Sequence, residues 1–495
     1  LRLTIALGGT RMTYLFSALL YYLLAGGTGL GMYQFMQDGS FLPSNLANVA
    51  LLWGIYLWVV GRHGWAGAAM GVAGLFHLNH ALVGCGLWIV LSVWKFVERR
   101  PFGPTARRAG SVPYVIGTLL GLVMPGVNIA LAVLHRPPQT GALALGEFVD
   151  LYVRLRHAHH YHAASWPVML WVTFLLPVPF AVVAWRRVMR TAPSAAVREA
   201  GRVFVVLGAM LVVAMLGAGV WYIGEALVQA SLWRFSIYVK LLSCVGAAWL
   251  VCDAGVVPRN ALRAAMLGLT IVLIAVAAAL VMAGDVAVDP SVARFVWTHL
   301  GAIALMVLIC AALLVYQTIS EHAGAGALKL VHGAGVVAVV GLLWIGWGRY
   351  LGLSVVENDP PDYLEMCAWA RDNTPVDAVF LVPPHEQSFR LHARRAIYIN
   401  FKAVAQLSDE LAEWRDRMEL LLGVDDLRNL PRGWGQALPA MRDRYEARSA
   451  ADLFILAREN GMRYVLVGHD LGPAHADRLT FANSTRTFFL YDVTR

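Results

Sequence analysis

Residues 203–221 read VFVVLGAMLVVAMLGAGVW, a run of nineteen residues without a charged side chain. A helix of about 20 apolar residues is long enough to cross the hydrocarbon core of a bilayer. The run therefore predicts a transmembrane helix. Across the whole chain 58% of the residues are hydrophobic and 14% are charged, which is typical of a membrane protein and excludes an ordinary soluble enzyme.

Comparable apolar segments repeat through the first 348 residues. They lie near 11–33, 46–60, 65–78, 80–97, 114–134, 166–185, 203–221, 235–252, 262–283, 294–317 and 328–348. We therefore predict a polytopic α-helical membrane protein with about eleven transmembrane helices. The segments 46–60 and 65–78 are short for a full crossing, which predicts a tilted, broken or re-entrant pair around Gly64.

Charge divides the chain into two regions. Of the 31 acidic residues 10 precede residue 350, against 23 of the 40 basic ones, so residues 1–349 carry a net charge of +13 and residues 350–495 one of −4. We expect a transmembrane helical domain over 1–349 and a soluble domain over 350–495. The basic excess belongs to loops at the membrane surface and does not indicate a nucleic-acid partner.

The arginines also predict the orientation, because arginine-rich loops stay on the cytoplasmic side of a membrane. Three such loops contain Arg99, Arg100, Arg107 and Arg108; Arg186, Arg187, Arg190, Arg198 and Arg202; and Arg259 and Arg263. With about eleven crossings all three lie on one side, together with the N-terminus. The segments 34–45, 135–165, 222–234 and 284–293 are then outside, in the same compartment as the domain 350–495.

The tail is predicted to be a small α/β domain. Helical spacing covers 363–371, 408–422 and 451–460, and compact apolar runs indicate strands at 378–382, 396–400 and 464–467. Pro383 and Pro384 end the first strand, and Gly461 ends the last helix. Residues 488–492 are predicted to form an edge strand.

A histidine cluster lies between two predicted spans, in the segment RLRHAHHYHAASWP at 154–167. Its members are His157, His159, His160 and His162. Imidazoles beside Arg154 and Arg156 suit an anionic diphosphate, because guanidinium groups bind phosphate oxygens in pairs and a partly protonated imidazole adds charge. An interfacial hydrogen-bond network is one alternative. A divalent metal ion bound by the four histidines is another, although no Cys or close carboxylate completes a familiar zinc pattern.

The layout and two motifs resemble a group of bacterial multi-span proteins whose plan is similar to that of the C-type membrane glycosyltransferases (GT-C). The motifs are Arg-x-His-x-His-His-Tyr before Trp-Pro within 154–167, and WARDNTPVDAVFLVPP at 369–384. The resemblance implies a multi-pass protein of the bacterial inner membrane with a cytoplasmic N-terminus. It also implies a helical body that holds a polyprenyl-phosphate-linked sugar at the outer face, covered by an extracytoplasmic C-terminal domain.

In that family an acidic residue of an early outer loop acts as a base or as a metal partner. The resemblance implies Asp38 for this role, since it is the acidic residue of the early outer loop, with Glu147 and Asp150 as substitutes from the segment before the histidines. The expected ligands of the lipid diphosphate are Arg154, Arg156, His157, His159 and His160.

Other polar residues are further candidates for substrate binding. His77 and His80 lie at a predicted helix break, where polar groups in a membrane serve function by default, with helix packing as the alternative. Arg234 ends an outer loop, where a headgroup anchor is the alternative. In the tail Arg390, Arg395 and Lys402 flank a predicted strand and are candidates for contact with an anionic lipid carrier, with a solvated basic face as the alternative.

The sequence thus predicts a membrane glycosyltransferase or glycan-phosphate transferase with a polyprenyl-linked donor, working among membrane lipids. A divalent metal ion is the cofactor that the histidines suggest. Two other classes stay open. One is an accessory subunit that binds a protein partner through the C-terminal domain. The other is a transporter, which would favour charged residues at mid-helix depth and related halves.

Overall fold

The computed structural model describes residues 1–24, 28–32, 43–98, 127, 131, 134, 141–191, 193–252, 359–472 and 479–493. The predicted spans at 262–283, 294–317 and 328–348, and nearly all of the span at 114–134, lie outside these residues. So does Asp38. The described part is mostly helical with one small C-terminal sheet, which confirms the coarse fold class. The number of transmembrane helices stays a prediction.

Twelve helices are labelled in residues 1–252. They are α1 (Arg2–Ala6), α2 (Arg11–Leu23), α3 (Pro43–Val59), α4 (His63–Phe76), α5 (Leu78–Val97), α6 (Leu145–Phe148), α7 (Ala158–Tyr161), α8 (Val168–Leu175), α9 (Pro177–Thr191), α10 (Ala195–Ala214), α11 (Glu225–Gln229) and α12 (Ser236–Cys252). Two π-helical segments, Val149–Arg156 and Met215–Val220, directly follow α6 and α10. Short 3₁₀ turns cover Leu30–Met32, Ala163–Ser165 and Leu232–Phe235.

The tail adds five helices and five strands. They are α13 (Pro361–Asn373), β1 (Val379–Leu381), α14 (Phe389–Ala393), β2 (Ala396–Ile397), α15 (Ser408–Leu422), α16 (Trp434–Glu446), α17 (Ala450–Glu459), β3 (Tyr464–Val467), β4 (Thr480–Ser484) and β5 (Phe489–Asp492), with a 3₁₀ turn at Leu427–Asn429. The predicted helix at 408–422 and the predicted strand at 464–467 are confirmed at both ends.

The chain separates into two compact units. The first contains the described residues of 1–134, 167–214 and 230–252. The second joins the described part of 359–493 to residues 141–166 and 215–229. The second unit therefore contains the histidine cluster as well as the tail, whereas the sequence predicts a division at residue 350.

The first unit is built from apolar helices. Leu170–Thr191 and Ala195–Val220 are long and apolar enough to cross a membrane, although the last six residues of the second helix belong to the second unit. Large apolar side chains are exposed on this unit, among them Trp53, Trp65 and Val183. Apolar patches of this kind normally contact a partner or lipid. The short pair predicted around Gly64 is a hairpin of α3 and α4, whose turn uses Gly61 at φ +81°, a conformation that glycine adopts without steric cost.

In the second unit a five-stranded sheet has the order β2-β1-β3-β5-β4. β1 pairs in parallel with β2 and β3, and β5 pairs antiparallel with β3 and β4. The prediction of an edge strand at 488–492 is wrong, because β4 covers the outer side of β5. The mixed sequence TFANS of β4 lacks the apolar run that marks the other strands.

Local signals set the ends of several tail helices. Pro361 opens α13 at a position where its missing N–H is not needed. Ser449 and Asp452 form a reciprocal capping box at the start of α17. Gly423 ends α15 at φ +62°. The core of the domain packs α13 and α14 on the sheet, with Tyr363, Phe380, Phe389, Leu466 and Leu490 buried together.

Candidate functional site

The histidine segment is a π-helical stretch followed by a single α-helical turn. The stretch Val149–Arg156 ends at His157, whose backbone is no longer helical, and α7 then carries His159 and His160. π-helical turns are rare and are often found at functional sites. The Gly433 N–H donates to the Arg154 carbonyl (3.1 Å), and the Trp166 indole donates to the Ala158 carbonyl (3.1 Å), so both ends of the segment are held.

Arg156 is the most buried charged residue of this segment, with 7% of its surface exposed. Its Nε donates to the Phe401 carbonyl (2.7 Å) and one terminal nitrogen to the Lys402 carbonyl (3.4 Å). Its guanidinium carbon also lies 4.1 Å from the ring centre of Trp434 and 5.2 Å from that of Phe401. Burial lowers its pKa to about 10, which leaves it charged at neutral pH. Arg156 thus fastens the histidine segment to the tail through backbone carbonyls and aromatic faces.

The carboxylates predicted as bases are paired with arginines in the same unit. Asp150 accepts from Arg154 at 2.7 Å and lies 3.8 Å from Arg432. Glu147 pairs with Arg415. These side chains are partly exposed, so the pairs add little to stability. They keep the carboxylates and Arg154 at the surface of the segment.

The four histidines do not form one cage. The His159 and His160 rings are 4.0 Å apart, whereas the His157 ring is 6.4 Å from His159 and 6.3 Å from His160. His157 Nδ1 lies 3.0 Å from the Tyr152 carbonyl, and His162 Nδ1 lies 3.1 Å from the Tyr222 hydroxyl.

Burial keeps at least two of these imidazoles neutral. It lowers the pKa of His157 well below the usual range and the pKa of His159 to about 4, and the Arg156 charge lowers both further. At neutral pH these rings therefore donate and accept hydrogen bonds as neutral groups. This differs from the expected partly protonated state, because the sequence does not show how deeply the segment is packed.

A metal ion does not fit the described residues. Among them, no group of three or more histidine, cysteine, aspartate or glutamate side chains is arranged to hold one. The closest pair, His159 and His160, has no third ligand of this kind within the described part of the chain.

A second polar cluster lies in the first unit and contains three predicted residues. His77 occupies the extended break between α4 and α5, His80 lies in the first turn of α5, and Arg234 lies in the 3₁₀ turn before α12. An Arg234 terminal nitrogen is 2.9 Å from His77 Nε2, and the rings of His77 and His80 are 4.9 Å apart. The structure thus brings together residues that are distant in the sequence.

Asn48 and Tyr238 complete this cluster. The Asn48 side-chain oxygen lies 2.8 Å from His80 Nε2 and accepts from the Tyr238 hydroxyl at 2.9 Å. His80 and Asn48 are fully buried. Sequence reasoning missed both partners, although Asn48 is a polar residue inside the predicted span 46–60 and is the type of signal that marks a lined cavity.

These contacts set the proton positions on the two rings. Arginine only donates, so His77 Nε2 accepts from Arg234 and the ring proton is on Nδ1. The Asn48 oxygen accepts, so His80 carries its proton on Nε2 and presents a lone pair at Nδ1. Both Nδ1 atoms are buried and have no hydrogen-bond partner among the described residues. The cluster therefore offers one cation, one unused N–H donor and one unused acceptor.

The basic residues predicted in the tail separate into different roles. Arg395 is buried and donates to Thr374 Oγ1 (3.1 Å), the Thr374 carbonyl (2.7 Å) and the Arg371 carbonyl, which completes the end of α13. Arg390 and Lys402 are exposed. The stretch around Arg390 is the helix α14 and not part of a strand.

A charged network in the first unit was also missed. Glu199 accepts from the Trp58 indole (3.0 Å) and Arg202 (2.6 Å) and forms an ion pair with Lys95 (3.1 Å). Arg202 also pairs with Glu98 at 2.5 Å. Because Glu199 has three donors, the network joins α3, α5 and α10 structurally, and its carboxylate is poorly suited to act as a base.

Comparison with known proteins gives one partial family match. Residues 361–421 match the model of a domain of unknown function, DUF6798. None of the curated proteins matches the chain.

Several solved structures match this chain, among them two that cover most of it at low identity. One is ArnT from Cupriavidus metallidurans bound to undecaprenyl phosphate, with 15% identity, a TM-score of 0.46, and coverage of 99% of this chain and 84% of that chain. The other is the Archaeoglobus fulgidus oligosaccharyltransferase in the apo form, with 13% identity, a TM-score of 0.28, and coverage of 92% of this chain and 45% of that chain. At these scores neither structure assigns an activity or a ligand to this chain.

The role of Arg156 predicts a specific defect. Arg156→Lys removes the planar group that stacks on Trp434 and bonds two carbonyls, and we expect it to cost about 2–4 kcal/mol of stability in the second unit. The measurement is thermal unfolding of the purified protein together with the rate of tryptic cleavage within 154–156, which should rise. Arg428→Lys, an exposed substitution, is the control and should change neither. An unchanged cleavage rate in Arg156→Lys would show that Arg156 does not hold the segment.

Proposed function

We propose that this chain is a membrane glycosyltransferase or glycan-phosphate transferase that uses a polyprenyl-phosphate-linked donor. The observation that carries the proposal is the cluster of Arg234, His77 and His80 among apolar helices. A charged residue in such surroundings is costly and usually serves function. The GT-C-like layout of the sequence and the two long apolar helices, Leu170–Thr191 and Ala195–Val220, support a membrane setting.

The cluster suits a phosphate group attached to a lipid. Arg234 supplies a delocalised cation with several donors, and His77 Nδ1–H is a buried donor that an anionic oxygen would satisfy. In an apolar setting such donors stabilise negative charge far more than they do in water. Donors placed at the leaving phosphate would therefore accelerate cleavage of its bond to the sugar.

The proposed reaction is a displacement at the sugar. The hydroxyl oxygen of an acceptor attacks the anomeric carbon, the bond from that carbon to the phosphate oxygen breaks, and its electron pair stays with the polyprenyl phosphate. A carboxylate takes the hydroxyl proton. With a polyprenyl-diphosphate-linked donor, the acceptor oxygen could instead attack the phosphorus next to the sugar. The bond from that phosphorus to the bridging oxygen then breaks, a glycan phosphate is transferred, and polyprenyl phosphate again leaves with the electron pair.

Three carboxylates are proposed for the base. Asp38 lies outside the described residues. Glu147 and Asp150 each form an ion pair with an arginine. Changing each carboxylate to the corresponding amide distinguishes the three candidates. Only the substitution of the true base should lower turnover without weakening donor binding.

For the histidine segment we propose a contact with the phosphate groups or the sugar of the donor through Arg154, His159 and His160. His159 and His160 lie on α7, the His159 ring is a neutral donor or acceptor, and Arg154 is partly exposed beside Asp150. We further propose that the N-terminus is cytoplasmic and that residues 350–495 lie outside the bacterial inner membrane. The arginine-rich loops support this orientation.

The donor proposal predicts the effect of two substitutions in the first unit. Purified protein in nanodiscs of bacterial membrane lipids, whose hydroxyl groups serve as acceptors together with water, is given a panel of polyprenyl-phosphate-linked pentoses and hexoses. Released polyprenyl phosphate is measured by mass spectrometry. Arg234→Lys replaces a fork of donors by a point charge, and His77→Gln removes the Nδ1 donor. We expect each to lower turnover by about 100-fold, the usual cost of losing a donor to a developing anion.

Arg190→Lys is the matched control, since Arg190 is exposed at the end of another apolar helix, and it should keep full turnover. Thermal unfolding checks that every variant is folded. Wild-type turnover with any member of the panel supports the proposal. Failure to release polyprenyl phosphate from all members, or full turnover in both variants, would contradict it.

The histidine segment makes a separate prediction. Changing His159 and His160 together to Gln keeps hydrogen-bonding ability, and Arg154→Lys keeps the charge but loses the bidentate fork. If the segment contacts the donor, both changes should lower turnover in the same assay without lowering the unfolding temperature. Lower stability with unchanged turnover would instead assign these residues to an interfacial network. Metal analysis of the purified protein should show no stoichiometric zinc or iron lost in the histidine variant.

A further inference from the structure

A group of polar side chains outside the proposed transferase site gathers at the carboxyl ends of two strands. The chain leaves β1 toward β2 on one side, and it leaves β3 toward the other side of the sheet, where β5 and β4 lie. In parallel sheets this divergence opens a crevice at the strand ends, and ligands of α/β domains bind there. In this domain the crevice falls between the segments that follow β1 and β3.

The segment after β1 places two titratable side chains at this position. His385 Nε2 and a Glu386 carboxylate oxygen are 3.3 Å apart, with 24% and 15% of their side chains exposed. His385 Nδ1 is buried without a hydrogen-bond partner among the described residues. The side-chain nitrogen of Asn400, just after β2, donates to the Glu386 carbonyl (3.1 Å) and fixes this segment to its neighbour.

The buried hydroxyl of Tyr363 lies close to the Glu386 carboxyl. Tyr363 on α13 is fully buried, and its hydroxyl has no partner of hydrogen-bond geometry among the described residues. The hydroxyl lies next to Glu386 and Ser388. Ser388 Oγ donates to the Asp359 carboxylate at 2.7 Å. The polar groups around the Glu386 carboxyl therefore include Asp359. The contacts of the Tyr363 hydroxyl lack good hydrogen-bond geometry, so a ligand oxygen placed in line with the hydroxyl would give it a stronger hydrogen bond.

The segment after β3 forms the second side of the crevice. Glu446 accepts from the Gly468 N–H (3.1 Å) and lies 2.7 Å from His469 Nδ1. Burial raises the pKa of Glu386 to about 7, and the charges of Asp359 and Glu446 add to this rise, whereas the nearby Tyr363 hydroxyl opposes it. Near neutral pH the Glu386 carboxyl can thus donate as well as accept. Burial lowers the pKa of His385 to about 4, so this imidazole is neutral.

We propose that this crevice binds a neutral, hydroxyl-rich ligand, a sugar or a short glycan, with Glu386, His385 and Tyr363 as its hydrogen-bonding groups. Each hydroxyl of a sugar both donates and accepts, which matches a carboxyl, a neutral imidazole and a phenol side by side. The two carboxylates Asp359 and Glu446 disfavour a phosphate or another anion, and Arg442, whose charge reaches His385, offsets them only in part. No group of three ligands for a metal is found in the described residues. The family match at 361–421 includes Tyr363, His385 and Glu386.

The test uses the full chain in nanodiscs and saturation-transfer NMR with glucose, galactose, mannose and N-acetylglucosamine as probes. At least one probe should receive magnetisation from the wild-type protein. Tyr363→Phe keeps the packing and loses one hydrogen bond, so it should weaken binding about five-fold, and Glu386→Ala should weaken it at least as much. Glu459→Gln, exposed near the opposite ends of the strands, is the matched control and should bind as the wild type does.

Several outcomes would overturn this proposal. They are transfer to none of the probes, equal binding in the wild type and Tyr363→Phe, and displacement of a bound sugar by inorganic phosphate or by Mn²⁺. The proposal does not depend on the transferase activity. Sugar binding that is weakened in Tyr363→Phe but unchanged in Arg234→Lys would locate it in the tail, whatever the result of the donor assay.

Discussion

An apolar helical body has no water to solvate a charge, and this constraint decides where the ionisable side chains of the first unit can lie. Lys240 is completely buried in α12 and donates to the carbonyl oxygens of Leu24 and Thr28, the latter at 2.7 Å. Glu199 has three donors. Arg234 is likewise paired, since it donates to His77 Nε2. The other ring nitrogen of His77, Nδ1, is buried without a partner among the described residues. Unused hydrogen-bonding capacity distinguishes this cluster from the structural ones.

In the second unit, buried charged side chains are paired mainly with backbone carbonyls. Arg156 and Arg395 are both buried, and both donate to backbone carbonyls that helix ends and loops leave without partners. Arg156 adds two aromatic faces. Removing either guanidinium would leave carbonyls unsatisfied and would loosen the segment it holds. An arginine close to histidines in the sequence is therefore not always a phosphate ligand, and the burial of each arginine decides its role.

The sequence predicted the features that depend on local pattern. The helix at 408–422 and the strand at 464–467 follow from apolar spacing and end signals, so their bounds are confirmed. The inner position of β5 could not be predicted, because it depends on pairing with β4, whose residues carry no strand pattern. His77, His80 and Arg234 were predicted as separate candidates. That these residues form one cluster with Asn48 and Tyr238 depends on tertiary packing, which a single sequence does not reveal.

The most direct test of the central claim is to map where the lipid phosphate binds. A polyprenyl phosphate with a photoreactive group close to the phosphate is crosslinked to the protein in nanodiscs, and the labelled peptides are identified by mass spectrometry. The account predicts labelling of residues 74–80 and 230–238 that undecaprenyl phosphate suppresses and undecaprenol does not. Labelling that both lipids suppress equally, or that avoids these two segments, would contradict it.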